Sequence, residues 1–240
     1  MGFGTVKSEV LDLVDFHSHI LPGVDHGSTD IEMSLSQLKL AASYSVKRIL
    51  ATPHFYPNVH TLSSFLELRD NAAKELKKAS TPDLPEFRLG AEVLICDGLE
   101  RFPNLDKLCF ENTKYIMLEL PFFDFSESYA ASAEAIADMG YKIILAHADR
   151  YPKDAIEFML DYGVSGLQIN ADSLMVPFKK KGHIYKWISE GLVCALGSDI
   201  HATPQKAYKN FYKAQNHIKD LILPIKKSSD KIWKEIKAVE

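Results

Sequence analysis

The feature that most constrains the fold is an alternation of short apolar, β-branched segments with amphipathic segments along the chain. The apolar segments have the length and composition of buried strands, and they end near Phe16, Thr52, Leu94, Leu120, Ala146, Ile169 and Ser198. The segments between them carry the i, i+3, i+4 spacing of helices, over residues 31–45, 62–78, 126–139, 153–162, 178–190 and 203–218. A last short helix is predicted over residues 232–239. This alternation is typical of a parallel α/β sheet, either closed as a barrel or open and doubly wound.

We expect the whole chain to form a single domain. Its 240 residues, 46% of them hydrophobic, can bury a full core, and the sequence contains no linker. The core should span about residues 10–220, followed by a C-terminal helix at about 230–239. The sequence has neither a dinucleotide nor a nucleotide phosphate-binding glycine motif, which gives a nucleotide-binding fold little support.

Composition narrows the possible partners and the compartment. A formal net charge of -4 does not favour non-specific nucleic-acid binding, and the short lysine runs at 179–181 and 226–227 are explained by solvated helix faces. Three cysteines without a C-x-x-C pair argue against a disulfide framework or a thiolate zinc site and suit a reducing compartment. Because neither a signal peptide nor an apolar stretch of membrane-spanning length is found, we expect a cytoplasmic protein.

Three histidines and two aspartates lie within the thirteen residues DFHSHILPGVDHG, which start at Asp15, directly after an apolar run. His17 and His19 are two residues apart, and this spacing places both imidazoles on the same face of a strand. A short H-x-H pair also arises by chance, so its meaning depends on the other strands.

Ligand-type side chains recur at the ends of the other predicted strands. They are His54, Glu92, Glu119, His147, Asp199 and His201. In α/β barrels the C-terminal strand ends meet at one mouth, where catalytic groups gather. Carboxylates are seldom placed in apolar strands unless they are paired or metal-bound. Imidazoles and carboxylates without thiolates suit zinc, manganese or iron, so the pattern predicts a catalytic metal centre.

The ordered motifs resemble the PHP (polymerase and histidinol phosphatase) superfamily. They are the FHSH and PGVDHG motifs after Asp15, the ATPH motif ending at His54, the LELP motif around Glu119, the HADRY motif starting at His147 and the SDIH motif ending at His201. Within the superfamily, they are similar to the manganese-dependent bacterial protein-tyrosine phosphatases of capsule and exopolysaccharide loci. This resemblance runs from about Asp15 to Lys206.

The resemblance implies a distorted (β/α)7 TIM-like barrel, the PHP fold, that holds three divalent metal ions. The first ion would be held by His17, His19, Glu92 and Asp199. The second would share Glu92 as a bridging ligand and add Glu119 and His147. The third would be held by His26, His54 and His201.

The resemblance also assigns substrate contacts, and the chain departs from its pattern twice. Arg150 matches an arginine that contacts the substrate phosphate, and Lys206 stands where the relatives tend to have an arginine. Lysine keeps the positive charge but loses the bidentate fork. His26 replaces an aspartate of the relatives, and a third set made only of histidines should favour zinc or iron over manganese. Residues 168–174 are interpreted as a loop that closes the barrel mouth.

The implied activity is hydrolysis of protein phosphotyrosine, with the tail of a bacterial tyrosine kinase that regulates capsule synthesis as the substrate. The phosphate dianion repels anionic nucleophiles, and clustered divalent ions offset that repulsion. Glu92 would bridge two ions, Arg150 would hold the phosphoryl oxygens, and His201 would assist the departing phenolate.

Four alternative functions have less support from the sequence. A cysteine-dependent tyrosine phosphatase is excluded, because none of the three cysteines begins a C-x5-R motif. A histidinol-phosphate phosphatase uses the same superfamily site, but the LELP motif and the short chain favour the phosphotyrosine enzymes. A PHP exonuclease would need a basic channel, which the net charge of -4 does not favour. A non-catalytic phosphotyrosine-binding module would be expected to have lost ligands, whereas all nine positions keep competent side chains.

Overall fold

The structure, a computed structural model, describes residues 11–122, 126–176, 178–202, 206–218 and 221–236. Its strands form one sheet in which all described neighbours are parallel. The strands are β1 (Val14–Ser18), β2 (Arg48–Ala51), β3 (His54–Phe55), β4 (Glu86–Leu89), β5 (Glu92–Leu94), β6 (Tyr115–Glu119), β7 (Lys142–Leu145), β8 (Val164–Asn170) and β9 (Val193–Gly197). Their order in the sheet is β3-β5-β6-β7-β8-β9-β1-β2-β4.

These nine strands occupy seven positions, because β3 continues β2 and β5 continues β4 after breaks of two residues. Pairing runs on across both breaks. The N–H of Gly90 donates to the carbonyl of Ala51 at 2.8 Å, and the N–H of Glu92 donates to the carbonyl of Pro53 at 3.0 Å. The β2–β4 pair at one end of the sheet order therefore passes directly into the β3–β5 pair at the other end. The sheet curls into a distorted barrel, which confirms the predicted architecture.

Seven α-helices surround the sheet in the described residues, mostly where the apolar spacing predicts them. They are α1 (Ile31–Ser43), α2 (Leu62–Ala79), α3 (Glu127–Asp138), α4 (Lys153–Asp161), α5 (Phe178–Ser189), α6 (Lys206–His217) and α7 (Ile222–Glu235). For the helix predicted over 203–218, residues 203–205 lie outside the described part of the chain. No helix within the described residues is both long and apolar enough to cross a membrane.

The last helix differs from its prediction. α7 begins at Ile222 and ends at Glu235, whereas the sequence predicted a helix over 232–239, of which residues 237–239 lie outside the described range. Pro224 lies in the first turn of α7. There its missing N–H would have had no helical partner, so proline is tolerated.

The helix α7 closes one end of the barrel. The apolar cluster inside the barrel combines inward-facing residues of the strands with residues of α7; its members are Val14, Phe16, Leu50, Phe110, Tyr115, Met117, Ile144, Ala146, Ala195, Ile232, Trp233 and Ile236. The guanidinium carbon of Arg88 lies 4.6 Å from the centroid of the Trp233 ring. Because apolar side chains fill the N-terminal end of the barrel, polar chemistry is confined to its C-terminal mouth.

A bulge in β1 sets which side chains reach that mouth. From Asp15 to Ser18, β1 advances three residues while its partner β2 advances two. One extra residue reverses the alternation of side chains between the two faces of a sheet. Phe16 lies in the apolar cluster inside the barrel, and the next residue, His17, also points inward, with its Nε2 atom 3.1 Å from Glu92.

The interpretation of residues 168–174 as a loop over the mouth is wrong. Gln168 and Asn170 end β8, and Ala171–Met175 form a 3-10 helix. Gln168 is fully buried and Asn170 is 2% exposed. Polar residues at the end of a strand resemble a loop in the sequence, but here they are paired with one another inside the protein.

Candidate metal centre

Histidines and carboxylates converge at the C-terminal mouth of the barrel. His17 comes from β1, His54 from β3, Glu92 from β5 and Glu119 from β6, while His19, His147, Asp199 and His201 follow β1, β7 and β9. All of these side chains are buried except that of His201, which is 28% exposed. Parallel strands bring their C-terminal ends to one side of the sheet, and residues distant in sequence therefore meet here.

Glu92 lies at the middle of this group. Its carboxylate oxygens are 3.1 Å from His17 Nε2, 3.3 Å from His19 Nε2, 3.0 Å from His54 Nδ1 and 2.7 Å from His147 Nε2. Burial raises the pKa of this carboxyl, but the charge of His17 and hydrogen bonds from the surrounding histidines outweigh burial and hold the pKa well below its usual range. An ionised carboxylate with four imidazoles around it has the geometry of a ligand shared between ions.

The ligand atoms fall into three overlapping groups. Within each group the atoms lie within 4.8 Å of one another; the groups are His17, His19 and Glu92; His54, Glu92 and Glu119; and His19, His54 and His201. Asp199 Oδ1 lies 3.6 Å from His17 Nε2 and 3.4 Å from His19 Nε2. His147 Nε2 lies 3.5 Å from Glu119 Oε1.

The structure brings together the first two sets implied by the family resemblance. The third set is arranged differently. His54 also approaches Glu92 and Glu119, with its Nδ1 atom 3.6 Å from Glu119 Oε2, and His19 joins His54 and His201. His26 is exposed and its ring stacks on those of His54 and His201, at centroid distances of 4.8 and 4.6 Å.

These side chains fit divalent metal ions. Among the described residues, no hydrogen-bond partner is found for three buried nitrogens, His54 Nδ1, His147 Nδ1 and His201 Nε2, which is costly unless a ligand satisfies them. The three groups contain imidazoles and carboxylates and no thiolate, a donor set that suits manganese, iron or zinc. Burial, together with the charge of His19, lowers the pKa of His201 to about 4, so this imidazole is neutral at pH 7, the form that binds metals.

Asp25 supports the centre, a role that was not predicted from the sequence. Its Oδ2 atom accepts from His19 Nδ1 at 2.7 Å and from the N–H of His54 at 3.0 Å, and its Oδ1 atom accepts from the N–H of Gly27 at 2.8 Å. The bond to Nδ1 turns His19 Nε2 toward Glu92, as carboxylates do for metal-binding histidines. A Cβ atom on Gly27 would lie 2.3 Å from the His19 Cβ, so the glycine permits this close approach. The sequence signal that could have identified this role is the aspartate of the PGVDHG motif.

Three of the six non-glycine residues with positive φ in the described part of the chain lie beside the ligands. His147, Asp199 and Ala202 have φ values of 30°, 50° and 49°, in the left-handed region that non-glycine residues seldom adopt. Such residues cost about 1–3 kcal/mol each and persist where the surrounding structure holds them. Two of these residues are candidate ligands, so the strained turns aim side chains into the mouth.

The two predicted phosphate contacts differ in position. Arg150 ends a short 3-10 helix after β7, and its Nη2 atom forms an ion pair with Asp199 Oδ2. Its side chain is 39% exposed, so the guanidinium lies between a candidate ligand and the open mouth. Lys206 is the exposed first residue of α6, and in the described part of the chain no ion pair joins it to the centre.

Replacing His26 with alanine tests its place in the third set. The stacking of its ring on His54 and His201 predicts a loss of about one ion per chain, because a ligand must be present and unprotonated to hold its metal. His26→Asp should keep the ion and favour manganese. Metal content is measured by elemental analysis of the purified protein.

The exposed His217 of α6 is the matched control, and His217→Ala should leave the metal content unchanged. If His26→Ala binds as much metal as the parent protein, His26 is a surface histidine and not a ligand.

A parallel α/β barrel with a histidine–carboxylate centre in its C-terminal mouth defines a class of barrel proteins suited to clustered divalent ions. Within that class, the chain belongs to the CpsB/CapC family of capsular polysaccharide synthesis proteins, whose model matches residues 13–227. The match confirms the family resemblance carried by the motifs.

Relatives and a solved structure agree with this assignment. The chain is 28% identical to tyrosine-protein phosphatase YwqE of Bacillus subtilis, over 79% of this chain and 77% of the relative. It is 29% identical to the putative tyrosine-protein phosphatase CapC of Staphylococcus aureus, over 82% and 80%. The fold matches a chain from the crystal structures of YwqE and of CpsB from Streptococcus pneumoniae, described as metal-dependent tyrosine phosphatases. That match has a TM-score of 0.73 at 20% identity and covers 95% of this chain and 96% of the other.

Proposed function

We propose that this protein is a metal-dependent phosphomonoesterase that hydrolyses phosphotyrosine in proteins. The observation that carries the proposal is the position of Glu92, whose carboxylate is within 3.3 Å of four histidine nitrogens. Its relatives YwqE and CapC are named tyrosine-protein phosphatases, which supports the substrate class.

The chain's own residues have separate tasks in this reaction. Divalent ions, when bound, neutralise the phosphate charge and supply a nucleophilic water near neutral pH. Glu92 and Asp199 would hold these ions through negative charge, and the histidines would hold them through nitrogen lone pairs. Arg150 can exchange its ion pair with Asp199 for the phosphoryl oxygens, because its guanidinium reaches the open mouth.

The leaving group needs little assistance from the protein. The phenol of tyrosine has a pKa of about 10, so its phenolate departs far more readily than an alkoxide. The low pKa of His201 favours the role of metal ligand over that of proton donor. A site in which His201 is a metal ligand and not a proton donor therefore favours an aryl phosphate substrate.

Aromatic side chains beside the candidate ligands favour the same substrate. The Tyr56 ring stacks on His54 at 5.1 Å, and the Phe122 ring stacks on His147 at 6.1 Å with an angle of 13° between the planes. Phe122 is 58% exposed. In phosphotyrosine the ring is bonded directly to the ester oxygen, so it must lie beside the ions; in histidinol phosphate the ring is several bonds away.

Replacing Phe122 with alanine should therefore raise KM for a phosphotyrosine peptide. An aromatic pair contributes about 0.5–1.5 kcal/mol, which corresponds to a rise of about 2- to 10-fold. The KM for an alkyl phosphate should stay the same. Met139→Ala removes another exposed apolar side chain, 53% exposed at the end of α3, and serves as the control. Equal effects of Phe122→Ala on both substrates would remove Phe122 from substrate selection.

The proposed physiological substrate is the tyrosine-containing tail of a bacterial kinase that regulates capsular or exopolysaccharide synthesis, and the reaction would take place in the cytoplasm. Metal analysis with p-nitrophenyl phosphate turnover comes first, followed by kinetics on a phosphotyrosine peptide and on histidinol phosphate. A kcat/KM that favours the peptide supports the proposal. A preference for histidinol phosphate would assign the site to a small-molecule phosphatase. A protein with full metal content that hydrolyses neither substrate would contradict the assignment of phosphatase activity.

A further inference from the structure

The buried amide of Gln168, in β8, contacts two candidate ligands at once. Its Oε1 atom accepts from His17 Nδ1 at 2.9 Å and from the backbone N–H of His147 at 2.6 Å. His17 belongs to the first predicted ligand set and His147 to the second. One fully buried side chain therefore contacts both sets.

The contacts continue to a third candidate ligand. Gln168 Nε2 donates to Asn170 Oδ1 at 3.0 Å, and Asn170 Nδ2 donates to Asp199 Oδ2 at 2.9 Å. Asn170 is held in place by its own N–H, which donates to Asp149 Oδ1 at 2.7 Å. The two amides thus connect His17 with Asp199, which would bind the same ion from different strands.

The donor and the acceptor of each hydrogen bond between His17 and Asp199 follow from the chemistry of the groups. A backbone N–H can only donate, so the atom of Gln168 that faces His147 must be its oxygen. The same oxygen faces His17 Nδ1, which must therefore carry a hydrogen and leave Nε2 free as a ligand. At the other end, the carboxylate of Asp199 accepts, so the NH2 group of Asn170 faces it and its oxygen faces Gln168.

The backbone leaves room for these contacts. A Cβ atom on Gly197 would lie 2.5 Å from Gln168 Nε2 and 2.5 Å from the His17 Cβ. Glycine at the end of β9 is therefore required for the Gln168 side chain to lie against His17.

We propose that Gln168 and Asn170 form an amide relay that positions His17, His147 and Asp199 for metal binding. The relay fixes the tautomer of His17 and the orientation of the Asp199 carboxylate, and neither amide touches substrate. It rests on the metal centre of the proposed function, but it does not depend on which phosphate ester is hydrolysed. Residues that orient ligands in this way typically change metal affinity by about 10- to 100-fold.

The first test replaces Gln168 with leucine and measures manganese and zinc affinity by titration of the metal-free protein. The affinity of at least one ion should fall by about 10- to 100-fold. Activity lost at low metal should return as the metal concentration rises. Gln215→Leu makes the same change at another buried glutamine, in α6, and should leave metal affinity unchanged. Equal metal affinity in Gln168→Leu and the parent would overturn the relay.

A second variant keeps the test valid if the leucine variant does not fold. The carboxylate of Gln168→Glu still accepts from His17 and His147 but cannot donate to Asn170. Only the hydrogen bonds that lead through Asn170 to Asp199 should therefore be disturbed. Nitrogen-15 NMR of the metal-free protein should show protonated Nδ1 of His17 in the parent and in Gln168→Glu. A different His17 tautomer in the parent would overturn the relay.

These readouts separate the two proposals. Weakened metal affinity in Gln168→Leu, in a protein that does not hydrolyse phosphotyrosine, would support the relay and contradict the proposed function. Hydrolysis of phosphotyrosine by the parent, together with unchanged metal affinity in Gln168→Leu, would support the proposed function and contradict the relay.

Discussion

Replacing Glu92 with glutamine should reduce kcat by about 100- to 1000-fold or more, the range seen when one preorganised electrostatic group is removed from an active site. Glutamine has the same shape but no charge, and four histidine nitrogens surround this carboxylate within 3.3 Å. Two ions would lose their shared anionic ligand, so metal content should fall with turnover. Both are measured on one preparation, by elemental analysis and by p-nitrophenyl phosphate hydrolysis.

Glu111→Gln is the matched control for this change. Glu111 is a partly buried carboxylate that accepts from the N–H of Leu89 at 3.1 Å, away from the metal centre. Its substitution should leave kcat and metal content unchanged. Near-normal activity of Glu92→Gln with full metal content would show that Glu92 does not bridge two ions.

Replacing Arg150 with alanine should lower kcat/KM without changing the metal content. Hydrogen bonds to charged groups contribute about 1.5–3 kcal/mol, which corresponds to a loss of about 10- to 150-fold. Arg150→Lys keeps the charge but not the planar fork, so its kcat/KM should lie between those of the parent and the alanine variant. The measurement is steady-state kinetics on a phosphotyrosine peptide at saturating metal.

Arg101→Ala removes another arginine, whose side chain is 77% exposed, and should have no effect on kcat/KM. Loss of metal from Arg150→Ala would mean that the arginine acts through its ion pair with Asp199 and not on the phosphate. Unchanged kinetics would place the phosphate contact elsewhere in the mouth.

The barrel could be predicted because its signals are local. Alternating apolar runs indicate strands, and stripes at helical spacing indicate helices, whatever their partners. The ligands at strand ends could be predicted for a related reason, since parallel strands all end at the same side of the sheet. Glu92, Glu119 and Asp199 were recognisable as carboxylates embedded in apolar runs.

Other features depend on contacts between distant residues. The helix α7 begins at Ile222 and not at the predicted residue 232, and Pro224 is acceptable there because it lies in the first turn. The roles of Gln168 and Asn170 could not be predicted either. In the sequence they are two polar residues at the end of a strand, and their partners His17 and Asp199 are 151 and 29 positions away.

The fold class, the family and the residues expected at the mouth could be predicted without a structure, because periodicity and motif order are properties of short segments. The grouping of those residues depends on contacts between strands. The tertiary structure placed His54 against Glu92 and Glu119 as well as beside His201, and it turned His17 inward through the bulge in β1. Strand register and the hydrogen bonds of buried amides are settled by pairing between segments far apart in the chain, and no local pattern encodes them.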